Sequence, residues 1–416
     1  MVTGKSQQAI ERIHEAEIIC ALANAGEVSR AELAERAGLG RSTVSQVLAT
    51  LIERGTVGAG EHQKQGGRGR PSELVSLDRD AVSAIGIDLA HAWVHITALN
   101  ILGDVIATTG RPVEDAAPWP ERIAVAQSLL ADLDVTPEQM RPLRALAVGL
   151  FGPIHIDHQW VHAGESGNGP SAYADEPWYP YVEGLSARYA CPVMIDNTIR
   201  FAAYAEHLAM VQHPGDATLH VRLFHGVGGA VVGPEGIERG ASGMGGEIGH
   251  MTVERDGDLC RCGRRGCLET FASTSAVLRA CRCSGLAVDT VADLRIAVQA
   301  DDPRAINVLT RAGRALGEAL IEASILVDPA RIIVSGDIVQ LDDTVLRVAS
   351  ETCRAGLGPR FTPAPVTRGV LGEVAASRGG ALAVIRQELP ALDSLRVDGA
   401  GDTAVPDPDP YEEGHL

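Results

Sequence analysis

Three cysteines fall within eight residues in the stretch DLCRCGRRGCLET, from Asp258 to Thr270, and GGEIGHM places His250 ten residues before the first of them. Such crowding has two chemical explanations: a redox or disulfide cluster, or a set of thiolate ligands for a metal ion. Gly263 and Gly266 supply the backbone freedom that ligands so close in sequence require. The rest of the sequence favours the metal. The N-terminal segment MVTGKSQQAIERIHEAE is polar and acidic where a secretory signal would be apolar. No apolar run reaches about 18 residues, so no membrane-spanning helix is expected. The expected compartment is the cytoplasm, where thiols stay reduced. His250, Cys260, Cys262 and Cys267 then form a Cys3His set, the closed tetrahedral type that holds structural Zn2+. Three thiolates around a divalent ion leave about one negative charge, which Arg261, Arg264 and Arg265 stand close enough in sequence to offset. Cys281 and Cys283 make a second C-x-C, but no histidine is near them, and they read as ordinary thiols.

At 416 residues the chain is too long for one ordinary core, so two or three domains are expected. Its formal charge of -18 looks wrong for a nucleic-acid binder until it is divided by region. Residues 391–416 hold seven acids against one arginine, with Pro, Gly and Asp dominant and no periodicity, the composition of a disordered acidic tail. Residues 1–77 are balanced, and within them the span 41–70 carries Arg41, Arg54, Lys64, Arg68 and Arg70 against only Glu53 and Glu61.

That local positive charge coincides with a pattern. Residues 8–24 place Ile10, Ile13, Ile18 and Leu22 at helical spacing. After a break at AGEVS, RAELAERAG reads as a short helix with Ser29 as N-cap, Glu32 at the capping-box position and Gly38 as its stop. In LGRSTVSQVLATLIERG, Val44, Val47, Leu48, Leu51 and Ile52 form one apolar stripe, while Ser42, Thr43, Ser45 and Gln46 face elsewhere. Two short helices joined by a tight turn, the second opening on a small polar face, describe a helix-turn-helix. Those side chains are short enough to approach base edges and hydrogen-bond them, and Arg41 joins them in the expected DNA-contacting set. TVGAGEHQKQGGRGRPSELVSL follows as strand, tip and strand, a wing. Arg68 and Arg70, flanked by glycines at its tip, suit a narrow A·T-rich minor groove. Residues 1–77 are thus expected to be a winged helix-turn-helix that binds a double-stranded operator.

From Val82 the pattern changes to alternating strands, then to strands interleaved with helices, twice over, with long helices near 302–326 and 376–388 around the strand RIIVSGD. This suggests two α/β lobes with a cleft.

GGEIGHM reads as E-x-G-H and CRCGRRGCLE as C-x-C-G-x-x-G-C-x-E, with GLFGP, GVGGAVV, ERGASGMGGE and VSGD in order around them. On these residues the whole of 1–390 resembles the ROK family of repressors, open reading frames and sugar kinases. The resemblance implies an α/β fold: a two-lobed actin-like (ribonuclease-H-like) ROK domain over about 82–390, with lobe I at about 82–197 plus 372–390 and lobe II at about 198–371. The winged helix-turn-helix preceding it marks the regulator branch. It also implies a homodimer or tetramer, and a sugar held by Asn197, Glu247, His250 and Glu269, with one imidazole nitrogen of His250 on zinc and the other facing the sugar. Asn168 in ESGNGP is a further candidate contact, in a loop that matches the family poorly.

The chain departs from the family's kinases in two places. Those enzymes carry Asn-Asp after a strand, the aspartate taking the proton of the attacking hydroxyl. In VMIDNTIRFAAYAE, Asn197 matches the asparagine and Thr198 stands where the base should be. A threonine hydroxyl has no useful basicity near neutral pH. Asp196, one residue before Asn197 on a strand, should point to the other face. The phosphate loop D-x-G-G-T is also missing: Asp88 is followed by Leu89, Ala90, His91, Ala92 and Trp93, without the glycines that let amides approach a phosphate. The implied function is a sugar-responsive DNA-binding transcriptional regulator, a repressor released by a carbohydrate effector, without kinase activity. A sugar kinase carrying a DNA-binding head and a ligand-independent transcription factor are the alternatives.

Overall fold

The computed structural model describes residues 2–59, 74–89, 92–114, 116–136, 138–152, 154, 159–162, 173, 175–210, 213 and 215–389. Lys64, Arg68, Arg70, Ala90, His91, Asn168 and the acidic tail 391–416 lie outside them.

The head opens with α1 (Val2–Ala25), β1 (Val28–Ser29), α2 (Arg30–Ala37) and α3 (Arg41–Arg54), and closes with β2 (Val57–Ala59) and β3 (Leu74–Leu77). The Ser29 hydroxyl accepts the Glu32 N–H, and Gly38 and Gly55 end the two short helices at φ 66° and 82°, backbone that only glycine adopts cheaply. The expected capping box is half made. Glu32 turns its carboxylate to Arg36, one turn on, at 2.8 and 3.0 Å, because a charged i,i+4 partner outbids a neutral amide. Ile18, Ile19, Leu22, Leu33, Val44, Leu48 and Leu51 make the head's core. The sequence stripe on α1 holds only in part, since Ile10 and Ile13 are exposed. β2 and β3 pair antiparallel as the stem of the wing, and β3 also pairs with β1, giving the order β1-β3-β2.

The chain divides into two compact units. Among the described residues, one gathers everything up to Ala205 together with Glu373 onward, and the other takes Glu206–Gly372. In the first unit β4 (Ala84–Asp88), β5 (Trp93–Leu99) and β6 (Val105–Pro112) form an antiparallel meander, and α4 (Trp119–Ala131) follows. β7 (Ala145–Leu150) and β9 (Val193–Asn197) extend the sheet parallel to β4, with β8 (Trp160–Val161) on its edge, α5 (Tyr179–Tyr189) before β9, and α6 (Thr198–Met210) after it. The central strands β4 and β7 are buried along their whole length, as strands covered on both faces must be.

The second unit repeats the plan. β10 (Thr218–Leu223), β11 (Val227–Gly233) and β12 (Gly236–Glu238) form the meander, and β13 (Arg331–Ser335) and β14 (Val366–Arg368) add parallel to β10. Leaving aside the edge strand β8 of the first sheet, both sheets therefore run third-second-first-fourth-fifth: β6-β5-β4-β7-β9 and β12-β11-β10-β13-β14. Helices α7 (Glu269–Ala272), α8 (Thr274–Cys283), α9 (Val291–Gln299), α10 (Pro303–Val327) and α11 (Thr344–Leu357) supply its apolar cover, with Leu309, Leu316, Leu320, Ile332, Val334 and Val345 in the core. From the chain's far end α12 (Ala375–Glu388) returns to the first unit. It lies so close on β4 that a Cβ at Gly86 would stand 1.8 Å from the Ser377 carbonyl oxygen.

Two histidines of the second unit are buried. His207 Nδ1 meets Thr218 Oγ1 at 2.9 Å, and His220 Nε2 meets Ser335 Oγ at 3.0 Å. Burial lowers the first imidazole to about 4 and, with Arg222 adding to it, the second to about 3. Unfolded, both titrate near 6.5. Between about pH 6.5 and 4 the unfolded chain binds protons that the native unit refuses. Stability is thus complete above about pH 6.5 and falls as the pH drops, by about 1.4 kcal/mol per pH unit for each histidine. Urea midpoints of the second unit between pH 7 and 4 should show that decline, and it should flatten in His207→Gln. A midpoint independent of pH would contradict the assignment.

Candidate functional site

The cysteine loop folds as a knot of short turns in the second unit. Gly263 donates its N–H to Cys260, Cys260 donates to Arg264, Gly266 to Asp258 and Leu268 to Met251. Gly266 sits at φ 66°, and a Cβ there would stand 1.5 Å from the Glu254 carbonyl oxygen, so no other residue fits. These turns bring the donor atoms of His250, Cys260, Cys262 and Cys267 all within 4.8 Å of one another. His250 Nδ1 is 3.6 Å from Cys260 Sγ, and the Cys262 and Cys267 sulfurs are 3.6 Å apart. A tetrahedral ion with bonds of about 2.3 Å to sulfur and 2.0–2.1 Å to nitrogen sets its ligands about 3.5–3.8 Å apart. The cluster fits such an ion. Without one the thiols resist ionising together: burial and the two neighbouring thiols push Cys267 up to about 12, burial raises Cys260, and only the exposed Cys262 is lowered, by the Arg264 amide.

Of the arginines expected to offset the thiolates, Arg264 acts on the cluster, its charge helping to lower Cys262, and all three also hydrogen-bond to neighbours. Arg264 donates to Thr252 Oγ1 at 3.0 Å, Arg265 to the Gly257 carbonyl, and Arg261 to Glu269 Oε2 at 2.7 Å.

His250 turns Nδ1 to the cluster and Nε2 toward Glu247, whose Oε2 is 4.0 Å away. Both side chains stay partly open, at 25% and 37%. Glu269 is buried. It accepts the Val227 N–H at 3.1 Å as well as Arg261, and Cys260 Sγ lies 3.7 Å from its other oxygen. The Val227 amide and Arg261 as its partners were beyond sequence reasoning, because a strand 42 residues away delivers the first of them.

Asn197 stands in the first unit, at the carboxyl edge of its parallel strands, where open α/β sheets take ligands. It is half-buried; its Nδ2 donates to the Gly152 carbonyl at 2.9 Å and its Oδ1 accepts from Ile199 N–H at 2.8 Å, which leaves one N–H and one lone pair. Thr198 is buried, and its hydroxyl donates to Asp88 Oδ1 at 2.7 Å. Asp196 is fully buried in an ion pair with Arg200 at 3.0 Å and accepts Gln159 Nε2 at 3.0 Å on its second oxygen. In the head, Arg41, Ser42, Ser45 and Gln46 are exposed along the first turns of α3 and Thr43 is half-exposed, so the five share an open polar face.

Residues 113–387 match the profile of the ROK family. The chain belongs to the ROK family. Ahead of the ROK match, residues 16–59 match the IclR helix-turn-helix domain. Over 391 residues the chain is 27% identical to the N-acetylglucosamine repressor of Escherichia coli, covering 91% of this chain and 94% of that protein. It is 32% identical over 326 residues to a glucokinase of Halalkalibacterium halodurans, covering 73% of this chain and 95% of the enzyme. The solved structure of a ROK family transcriptional regulator, a homologue of the E. coli MLC protein, shares the fold with a TM-score of 0.68 at 22% identity, over 92% of this chain and 97% of that one. The actin-like α/β ROK fold with a helix-turn-helix head agrees with the duplicated sheets. No helix among the described residues is long and apolar enough to cross a membrane.

Proposed function

We propose that this ROK protein is a sugar-responsive transcriptional regulator, a repressor that a carbohydrate effector releases from its operator. The observation that carries the reading is the open polar face of α3 in a head matched to a DNA-binding domain and joined to a ROK domain. Ser42, Thr43, Ser45 and Gln46 read base edges in the major groove, and Arg41, Arg68 and Arg70 hold the phosphates or the minor groove. A homodimer or tetramer sets two such helices about 34 Å apart on a pseudo-palindrome.

Glu247 and His250 Nε2 meet sugar hydroxyls, which need acceptors in fixed positions because each hydroxyl both donates and accepts. Asn197 adds its remaining N–H and lone pair. Glu269 adds the acceptor sites that Val227 and Arg261 leave unused, a carboxylate having about four. Zn2+ on His250, Cys260, Cys262 and Cys267 leaves no ligand position for water, so its chemistry is structural: it fixes the loop that presents Glu247 and the outer face of His250. A sugar that binds better to the form unsuited to DNA lowers operator affinity by that difference.

The similarity to a glucokinase makes phosphorylation the second reading. Thr198 speaks against it, since its hydroxyl is spent on Asp88 and is no base. In a coupled assay with glucose and N-acetylglucosamine the parent should turn over no ATP in response to sugar. Thr198→Asp alone should not create activity, because Ala92 and Trp93 still stand where a phosphate loop needs glycine. Sugar-dependent ATP consumption abolished by Glu247→Ala would establish the kinase. For the regulator, DNA selected from random duplexes by the full-length protein should share a two-fold site, and one of the two sugars should weaken its binding.

A further inference from the structure

The head is gripped by the segment between α4 and β7, at residues 138–144. Arg144 makes a direct hydrogen-bonded ion pair with Glu15 of α1, and the two side chains are only 9% and 13% exposed. Glu15 also faces Arg54, the last residue of α3, at 3.5 Å. Arg141 donates to the Glu53 carbonyl at 3.0 Å, capping the C-terminus of the same helix where its dipole is negative. The loop itself is anchored. Gln139 accepts the Val82 N–H at 2.7 Å, and Arg144 donates its own N–H to Ser83.

Both elements that enter and leave this loop begin or end at the carboxyl edge that carries Asn197. β7 runs from Ala145 beside the pair to Leu150, next to Phe151 and the Gly152 carbonyl held by Asn197. α4 starts at Trp119, which stacks on Phe151 at 4.5 Å and 11°, and Arg122 in its first turn donates to the Leu89 carbonyl. A strand of six residues and a helix of thirteen both span about 20 Å. Two rods of equal length thus join the edge to the clamp on the recognition helix, and β7 is buried throughout.

We propose that the Glu15–Arg144 pair is the joint through which the state of that edge reaches α3. The inference rests on the effector reading and adds the route: movement at Gly152 and Trp119 is delivered by β7 and α4 to Arg141 and Arg144, and from there to the C-terminal end of α3. Glu15 and Arg144 are positioning residues. They touch neither sugar nor DNA, and they set the angle of the helix that does.

The test uses the full-length zinc-loaded protein, an operator selected from random duplexes, and N-acetylglucosamine and glucose as probes. Glu15→Gln and Arg144→Met should bind the sugar with the parent's Kd by calorimetry. The sugar-induced loss of operator affinity should shrink at least fivefold in each, and the charge-swapped double variant Glu15→Arg, Arg144→Glu should regain most of it. Scanning calorimetry needs no sugar: the head should melt with the first unit in the parent and in the double variant, and in a separate earlier transition in Arg144→Met. Single variants that respond like the parent, a double variant no better than the singles, or a head that melts identically in all four proteins would each overturn the joint. A parent that binds operator but answers neither sugar is a different failure, that of the effector reading itself.

Discussion

Replacing Cys267 by serine should strip the second unit of the zinc proposed for it and lower its melting temperature by roughly ten degrees. Cys267 is fully buried, its sulfur 3.6 Å from Cys262, in a loop whose turns bring four candidate donor atoms within 4.8 Å of one another. Structural zinc binding is worth about 10–16 kcal/mol in small peptides, and that energy is folding energy. A serine hydroxyl is a poor ligand for Zn2+, so losing one of four donors and leaving two thiols crowded should cost at least about 4 kcal/mol. For a unit of this size each kcal/mol moves the midpoint by about 2–4 °C. Elemental analysis and calorimetry of parent and variant check both halves. Equal zinc content, or no zinc in freshly reduced parent, would remove the metal from the account. Operator binding without sugar should survive the change, because the head has its own core in Leu33, Val44, Leu48 and Leu51.

Gln46→Ala should abolish preference at one base pair while leaving affinity for unrelated DNA nearly unchanged. Gln46 is exposed on the second turn of α3, with Ser42 and Ser45 beside it on the open face. A bidentate side-chain contact to a base discriminates by about 1–3 kcal/mol, some five- to 150-fold. Arg70→Ala should behave in the opposite way. It should weaken binding evenly across sequences and reduce the slope of log affinity against log salt by about one. Titrations of both variants at several salt concentrations separate the two patterns. If neither variant differs from the parent, α3 and the wing are not the DNA-contacting face.

The helices of the head were legible because their ends are written in local chemistry: Ser29 as cap, Gly38 and Gly55 as stops. The convergence of the cysteine loop was legible for the same reason, since the four candidate donors lie within eighteen residues and the glycines mark the turns. What escaped were pairings that only the fold creates. Glu32 offered a capping box and took Arg36 instead. Glu269 looked like a free acceptor until β11 delivered the Val227 amide and the loop delivered Arg261. The exclusion of Asp196 rested on strand alternation, and the structure adds that Arg200 and Gln159 occupy its oxygens. The α1 stripe was read too far toward the N-terminus, taking in the exposed Ile10 and Ile13, because periodicity shows which positions share a face and not which of them meet a neighbour. Arg141 and Arg144 carried no motif at all, and their partners lie 88 and 129 residues away.

The return of α12 has a consequence for synthesis. Thr97 on β5 and Ser377 on α12 share a buried hydrogen bond of 2.7 Å across 280 residues of chain. At about 5–20 residues per second, a ribosome needs roughly a quarter of a minute to a minute to make the segment between them. Over that interval the face of β4 around Gly86 has no helix to cover it, whereas the head is complete and the thiol loop can close as soon as Cys267 emerges. The first lobe is therefore begun early and finished last, after the whole of the second unit has been made. The exposed strands of that waiting lobe are where a chaperone would find it.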